Sequence, residues 1–133
     1  MDYLFIYGTL LMQENPWGMY LSQQSEMVCQ AKLSGFLYDA GEYPGAIYVP
    51  ESDSYIYGSV MTLQNPDEAL RIMDQYEGFG SEESQPNEFI RRKLAVKSDI
   101  GPLTCWVYLY NWSTQGLSRI NSGDYLKFRF ENT

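Results

Sequence analysis

The chain offers few residues for acid–base chemistry, because its 133 residues include no histidine. Histidine is the usual proton carrier near neutral pH and completes the Ser-His and Cys-His nucleophile pairs. A proton transfer in this protein therefore falls to a carboxylate, lysine, tyrosine or cysteine whose pKa is shifted by its surroundings. Cys29 and Cys105 lack CxxC spacing, so they predict two buried free thiols instead of a disulfide framework or a metal site.

Glu77 is the candidate for this proton transfer. It lies between Tyr76 and Gly78, at the expected end of a helix. The negative end of the helix dipole and nearby aromatic burial both disfavour an ionised carboxylate and raise its pKa, which suits a general base. Taken alone, the local sequence favours a simpler interpretation, in which Glu77 is a solvent-facing acid at a frayed helix end.

The run Tyr7-Gly8-Thr9-Leu10 is a candidate binding turn, since it directly follows the apolar stretch 3–6. A glycine followed by a small hydroxyl residue lets the backbone turn sharply and leaves N–H groups free to bind an oxyanion or a carboxylate. Many strands end in Gly-Thr for turn chemistry only, and the spacing alone favours that interpretation.

Composition restricts the class of protein. A chain of this length with 44% hydrophobic residues predicts one domain over residues 1–133. Its 9 basic and 17 acidic residues give a net charge of -8, which disfavours nucleic-acid and membrane-surface partners and favours a small molecule. No apolar stretch is long enough for a membrane helix and no signal peptide is recognised, so we expect a cytoplasmic protein.

The elements that would position these residues are strands and two helices. Asn65-Pro66-Asp67-Glu68 predicts a helix start, with Ala69, Ile72, Met73 and Tyr76 on its apolar face and Gly78 at its end. A weaker helix is expected over 17–23. Strands are expected at 3–6, 27–37, 46–49, 55–63, 89–96 and 103–110. Within the second of these, Gly35 marks a bulge or a close backbone approach. A hairpin turn at 52–54 is expected to join strand 46–49 to strand 55–63. Loops are expected at 38–45 and 81–88. About seven strands and two helices predict an α+β fold, a small mixed β-barrel that is closed or nearly closed.

Seven short motifs follow one another along nearly the whole chain. They are Tyr7-Gly8-Thr9-Leu10, Gly35-Phe36-Leu37-Tyr38, Tyr43-Pro44-Gly45, Tyr57-Gly58, the acid before Gly78 in the helix 70–78, Phe89-Ile90-Arg91 and Ser122-Gly123-Asp124-Tyr125. In this order and spacing, the chain resembles the gamma-glutamylcyclotransferase-like family, also called AIG2-like. The resemblance implies a small barrel flanked by helices, with a pocket at one rim that holds a gamma-glutamyl group.

The resemblance also implies roles for individual residues. Glu77 becomes the general acid/base, and Tyr7, Gly8, Thr9 and Leu10 hold the glutamyl group. Further substrate-binding candidates are Tyr43, Gly45 and Tyr110, which shares a strand face with Tyr108. The implied reaction forms 5-oxoproline from a gamma-glutamyl amine or gamma-glutamyl amino acid and releases the amine. The alternative is a non-catalytic module of the same fold that only binds a small molecule.

The chain departs from the family at Phe89, where a tyrosine is usual two residues before the strand arginine. Arg91 could pair with a carboxylate, but an arginine on a strand is more often a solvated residue or part of a structural ion pair, so it is not a catalytic candidate. Asp74 is expected to act at most as a helper of Glu77. Glu82, Glu83 and Glu88 fall in a polar loop without the spacing of a cation site, so no metal is predicted. No cofactor is expected, and the oligomeric state is left open, with a monomer favoured.

Overall fold

The computed structural model describes residues 2–8, 16–81 and 85–131, which contain seven strands and three helices. In chain order these are β1 (Tyr3–Ile6), α1 (Pro16–Gln24), β2 (Met27–Asp39), β3 (Pro44–Tyr48), β4 (Tyr55–Thr62), α2 (Pro66–Glu77), β5 (Phe89–Ser98), β6 (Gly101–Tyr110), β7 (Ser118–Arg119) and α3 (Tyr125–Glu131). The predicted α+β class is confirmed. None of the described helices is long and apolar enough to cross a membrane.

Five strands close into a barrel in the order β2-β4-β1-β6-β5. The barrel closes because β2 uses both of its edges: Ala31 pairs with Gly58 of β4 on one side and with Ser98 of β5 on the other. β1 and β6 run parallel, and the other neighbours in the barrel are antiparallel. The structure confirms the predicted small mixed barrel.

β2 is longer than predicted, and its length overturns the expected hairpin at 52–54. Its first part, 27–34, pairs with β4, and its second part, 35–39, pairs with β3. β3 and β4 therefore both pair with β2, and the described pairings do not join them to each other. The predicted loop 38–45 shrinks for the same reason, because β2 extends to Asp39 and β3 already begins at Pro44.

Gly35 marks a close backbone approach, as one of its two predicted interpretations requires. A Cβ atom at Gly35 would lie 2.0 Å from the carbonyl oxygen of Ile47. The irregularity in the pairing of β2 lies instead between Met27 and Cys29. Close contact with β3, not an extra residue, explains this glycine.

Alternation along the strands separates two layers of core. Phe5 of β1 and Tyr7, which directly follows the strand, belong to the core of the barrel interior, whereas Leu4 and Ile6 belong to the layer that the helices cover. β6 follows the same rule, since Tyr108 shares the helix-facing layer with Tyr110. This period of two places the tyrosines of β6 on the side of the barrel against which α2 packs.

Helix α2 begins and ends where the sequence predicts. The carbonyl oxygen of Asn65 accepts the N–H of Ala69 at 2.9 Å, although the Asn65 side chain makes no capping bond and instead donates to Glu68. At the other end Gly78 is left-handed (φ 70°, ψ 34°), and the amides of Gly78 and Phe79 donate to carbonyl oxygens of the last turn. This capping arrangement ends the helix directly after Glu77.

The third helix was not predicted. α3 follows a turn in which Asp124 Oδ1 accepts the N–H of Lys127 at 3.1 Å, as an N-cap does. The turn is joined to the barrel because the carbonyl oxygen of Gly123 accepts the N–H of Tyr57 at 2.8 Å. Tyr125 is consequently buried in the barrel core.

Two glycines provide a matched test of the contact between the turn before α3 and the barrel. Gly78 and Gly123 both have φ of 70°, but a Cβ at Gly78 meets nothing within 4 Å, whereas one at Gly123 would lie 1.8 Å from the carbonyl oxygen of Tyr55. We expect Gly78→Ala to lower the free energy of unfolding by about 1 kcal/mol, the cost of a left-handed alanine. Gly123→Ala should cost at least twice as much, measured by urea denaturation. Equal losses would contradict the proposed importance of this contact.

Candidate active site

A cavity of about 230 Å³ opens where β1 and α2 end and β5 begins. Its described lining is largely aromatic and contains two carboxylates: Phe5, Ile6, Tyr7, Gly8, Tyr43, Pro44, Tyr76, Glu77, Glu88, Phe89 and Tyr108. Four of the predicted site residues therefore share one wall: Tyr7, Gly8, Tyr43 and Glu77. Thr9 and Leu10 lie outside the described residues.

Glu77 is half-buried at the end of α2 and borders this cavity. Burial, followed by the negative charges of Glu88 and Asp74, raises the pKa of Glu77 from 4.5 to about 8. Within the described part of the chain, no basic side chain forms an ion pair with it. A carboxyl group with this pKa exchanges its proton readily near neutral pH, as a general acid/base must.

Asp74, one helical turn earlier, is held by a network of its own. Arg91 Nε donates to Asp74 Oδ1 at 2.8 Å and Arg91 Nη2 donates to Oδ2 at 3.0 Å, while the Tyr108 hydroxyl donates to Oδ1 at 2.6 Å. The guanidinium also lies 4.3 Å from the centre of the Trp106 ring. Of the two expected states of Arg91, solvated or in a structural ion pair, the structure shows the ion pair. The charge of Asp74 nevertheless still contributes to the raised pKa of Glu77.

Glu88 is a cavity residue that the sequence analysis missed. We expected it in a solvated loop, but it is half-buried, and its Oε2 accepts the Tyr43 hydroxyl at 2.5 Å. The Asn111 amide fixes its backbone by donating to the Glu88 carbonyl oxygen at 2.6 Å. The one signal in the sequence was its position directly before Phe89, at the start of a predicted strand.

Tyr7 contributes a ring to the cavity while its hydroxyl serves the fold. The hydroxyl donates to the carbonyl oxygen of Tyr108 at 2.5 Å and also has a backbone hydrogen bond with Ala46. Burial raises the pKa of Tyr7 well above its usual value, so it remains a neutral phenol. Its contacts hold the end of β1 against β3 and β6.

Gly8 and Gly45 both permit close packing. A Cβ at Gly8 would lie 2.8 Å from Cγ of Pro44, which is itself in the cavity wall. A Cβ at Gly45 would lie 2.7 Å from the ring of Tyr110. The close contact between Gly8 and Pro44 therefore lies in the cavity wall, whereas Gly45 and Tyr110, which contact each other, do not line the cavity.

Gly45 and Tyr110 are not among the residues that line the cavity. Tyr110 packs edge-on against Phe89, with ring centres 5.5 Å apart, and Phe89 does line it. The structure thus places these two predicted binding residues behind the wall.

The cysteines are both free, but only Cys105 is buried. Cys29 is half-exposed, which corrects the expectation of two buried thiols. Burial raises the pKa of Cys105 to about 12, and neither thiol lines the cavity. The cavity wall therefore offers carboxyl and phenol groups, and no thiolate, for chemistry.

Residues 4–127 match the family described as "Gamma-glutamyl cyclotransferase, AIG2-like". The chain belongs to this family. The Bacillus subtilis (strain 168) protein YkqA is 28% identical over 124 residues, which cover 92% of this chain and 40% of YkqA. The chain thus spans less than half the length of this relative.

Solved structures of similar proteins agree with the barrel. The crystal structure of YkqA matches with a TM-score of 0.74 at 26% identity, over 98% of this chain and 42% of that chain. The solution structure of ytfP from Escherichia coli matches with a TM-score of 0.65 at 25% identity, over 96% and 98%. An AIG2-like protein from Mus musculus shares the fold, with a TM-score of 0.67 at 20% identity, over 86% and 81%.

The raised pKa of Glu77 makes stability depend on pH. In the unfolded chain this carboxyl ionises near pH 4.5, but in the folded protein it keeps its proton to about pH 8. Below pH 4.5 the carboxyl is protonated in both states, and its contribution to the free energy of unfolding is then at its full value. This contribution is lost as the pH rises towards 8, because the unfolded chain ionises more easily than the folded protein. Glu77→Gln removes the ionisation, so above pH 8 we expect the variant to be more stable than the wild type by on the order of a few kcal/mol.

Denaturation in urea from pH 4 to 9 measures this difference. Both proteins should have similar stability near pH 4 and diverge as the pH rises. A difference that does not change with pH would contradict the raised pKa.

The Asp74–Arg91 pair predicts a second effect on Glu77. Arg91→Met leaves the charge of Asp74 uncompensated, so the pKa of Glu77 should rise further and stability should fall by about 3 kcal/mol. Arg92→Met, which removes an exposed neighbouring charge, is the matched control. Carbon-13 NMR titration of the Glu77 carboxyl measures the pKa, and Asp74→Asn in the Arg91→Met background should reverse the shift. A Glu77 pKa that is unchanged in Arg91→Met would refute this account.

Proposed function

We propose that this protein is a gamma-glutamyl cyclotransferase, which converts a gamma-glutamyl amine or gamma-glutamyl amino acid into 5-oxoproline and the free amine. The observation that carries the proposal is Glu77, a carboxyl group with a pKa of about 8 that borders an otherwise largely aromatic cavity. Membership of the cyclotransferase family supports the same reaction class.

The reaction needs no protein nucleophile, because the substrate supplies its own. The alpha-amine attacks the gamma-carbonyl carbon, which forms the carbon–nitrogen bond of a five-membered lactam. The bond from that carbon to the departing amine then breaks. Glu77 accepts one proton from the attacking nitrogen and returns it to the departing nitrogen, so one carboxyl group performs both transfers. The second proton that the alpha-ammonium loses in becoming the lactam N–H passes to solvent, from which the released amine takes up a proton.

A small catalytic apparatus suffices because the attack is intramolecular. Holding the substrate in a curled conformation brings amine and carbonyl together, and such proximity can contribute on the order of several kcal/mol. The cavity of about 230 Å³ is smaller than the roughly 300 Å³ at which pockets for drug-sized ligands begin. It therefore suits a group of amino-acid size.

The turn that follows β1 is proposed to hold this group. In this proposal Tyr7 and Gly8 contribute to the wall, and the backbone N–H groups of Gly8, Thr9 and Leu10 bind the glutamyl group and the developing oxyanion. The buried phenols stay neutral, because burial raises the pKa of Tyr7 and of Tyr108. The proton transfers therefore remain with Glu77.

The test is turnover of a panel of gamma-glutamyl amides and gamma-glutamyl amino acids, scored by release of 5-oxoproline. Glu77→Gln keeps the size of the side chain but cannot carry the proton, so we expect kcat to fall by about 10²- to 10⁴-fold. The matched control is Glu51→Gln, which removes an exposed acid outside the cavity and should leave kcat unchanged.

Two results would count against the proposal in different ways. A folded Glu77→Gln variant that releases 5-oxoproline at the wild-type rate would refute the role of Glu77. A wild-type protein that binds these compounds but converts none of them would favour the alternative, a binding module that retains the cavity without turnover.

A further inference from the structure

The charge in the cavity is unbalanced. Its described lining contains the carboxyl groups of Glu77 and Glu88 but no lysine or arginine. The nearby guanidinium of Arg91 makes a two-point ion pair with Asp74 and faces a separate cleft. A negative charge in the cavity is therefore left without a basic partner from the described protein.

Glu88 is held in place by two hydrogen bonds, one to its side chain and one to its backbone. The Tyr43 hydroxyl donates to its Oε2, and the Asn111 amide fixes its backbone. Among the described residues, no hydrogen bond reaches its other carboxyl oxygen, Oε1. A half-buried carboxylate that is oriented but incompletely bonded carries a free-energy cost, which a bound cation would offset.

The described residues of the adjoining wall supply neither a cation nor a second hydroxyl donor for Glu88. Phe89, the next residue, gives the cavity a ring without a hydroxyl, and the Tyr43 hydroxyl is already directed at Glu88. With no basic side chain in the described lining, a ligand that carries a cation would balance Glu88. Gamma-glutamyl compounds carry an alpha-ammonium group, and some carry a second ammonium on the departing amine.

We propose that Glu88 is a substrate-binding residue that holds an ammonium group of the substrate, oriented for this by Tyr43. This inference rests on the proposed function, since it assigns a specificity determinant to the same cavity. The ammonium comes either from the glutamyl group itself or from the departing amine. Substrates that differ only in the departing amine distinguish these two sources.

The experiment compares two gamma-glutamyl amides, one of ethylamine and one of 1,4-diaminobutane, with the wild type and Glu88→Gln. We expect Glu88→Gln to raise KM by about 10- to 100-fold, the usual effect of removing a charged hydrogen-bond partner. An equal rise for both substrates assigns Glu88 to the alpha-ammonium. A rise confined to the diaminobutane compound assigns it to the departing amine.

Two further variants make the result specific. Glu51→Gln changes the net charge equally but lies outside the cavity, so its KM should stay within twofold of the wild type. Tyr43→Phe keeps the carboxylate but removes the hydroxyl that orients it, so its KM should rise in the same direction by a smaller factor. Glu88→Gln and Glu51→Gln variants with the same KM for both substrates would overturn the proposal.

Binding without turnover separates this inference from the proposed function. Titration calorimetry of both amides with Glu77→Gln and with Glu77→Gln/Glu88→Gln gives dissociation constants that do not depend on catalysis. A wild-type protein without turnover would refute the proposed reaction, while a 10-fold or larger weakening in the double variant would still support Glu88. Equal dissociation constants would refute the role of Glu88 even in an active enzyme.

Discussion

Three carboxyl groups lie close together near the end of α2, and the protein must limit the repulsion between their negative charges. Asp74, Glu77 and Glu88 approach from a helix turn, a helix end and the segment before β5. Each has different surroundings. Asp74 has a two-point guanidinium partner and Glu88 has a phenol donor, whereas Glu77 has burial and two negative neighbours. Burial first, and then the two like charges, therefore raise the pKa of Glu77, which has no cationic partner among the described residues.

This arrangement depends on the barrel. Arg91 and Tyr108 reach Asp74 from the paired strands β5 and β6, where they are directly opposite each other in register. The end of β1 is joined to β6 by the Tyr7 hydroxyl, so the cavity wall and the Asp74 network share one strand. Closure through β2 holds β4 and β5 on its opposite edges. The acid–base properties of Glu77 are thus a consequence of strand pairing as well as of local sequence.

Helix α2 could be predicted because its signals are local. A first-turn proline at Pro66 and a left-handed Gly78 define its ends, and the position of Glu77 at the end of the helix follows directly. The prediction of a hairpin at 52–54 was wrong. Turn residues indicate that the chain changes direction, but they do not indicate which strand the next segment pairs with. β2 is long enough to pair with both β3 and β4, and no residue near position 52 carries that information.

The site residues also differ in whether nearby sequence or a contact with a distant residue determines their position. Glu77 was found from its neighbours and from the resemblance, but Glu88 was assigned to solvent because the residues around it are polar, while its partner Tyr43 is 45 positions earlier. These two acids lie on separate elements, α2 and the segment that leads into β5. Since each is positioned by its own element, the residue proposed to bind the substrate cation can change without moving the proposed acid–base group.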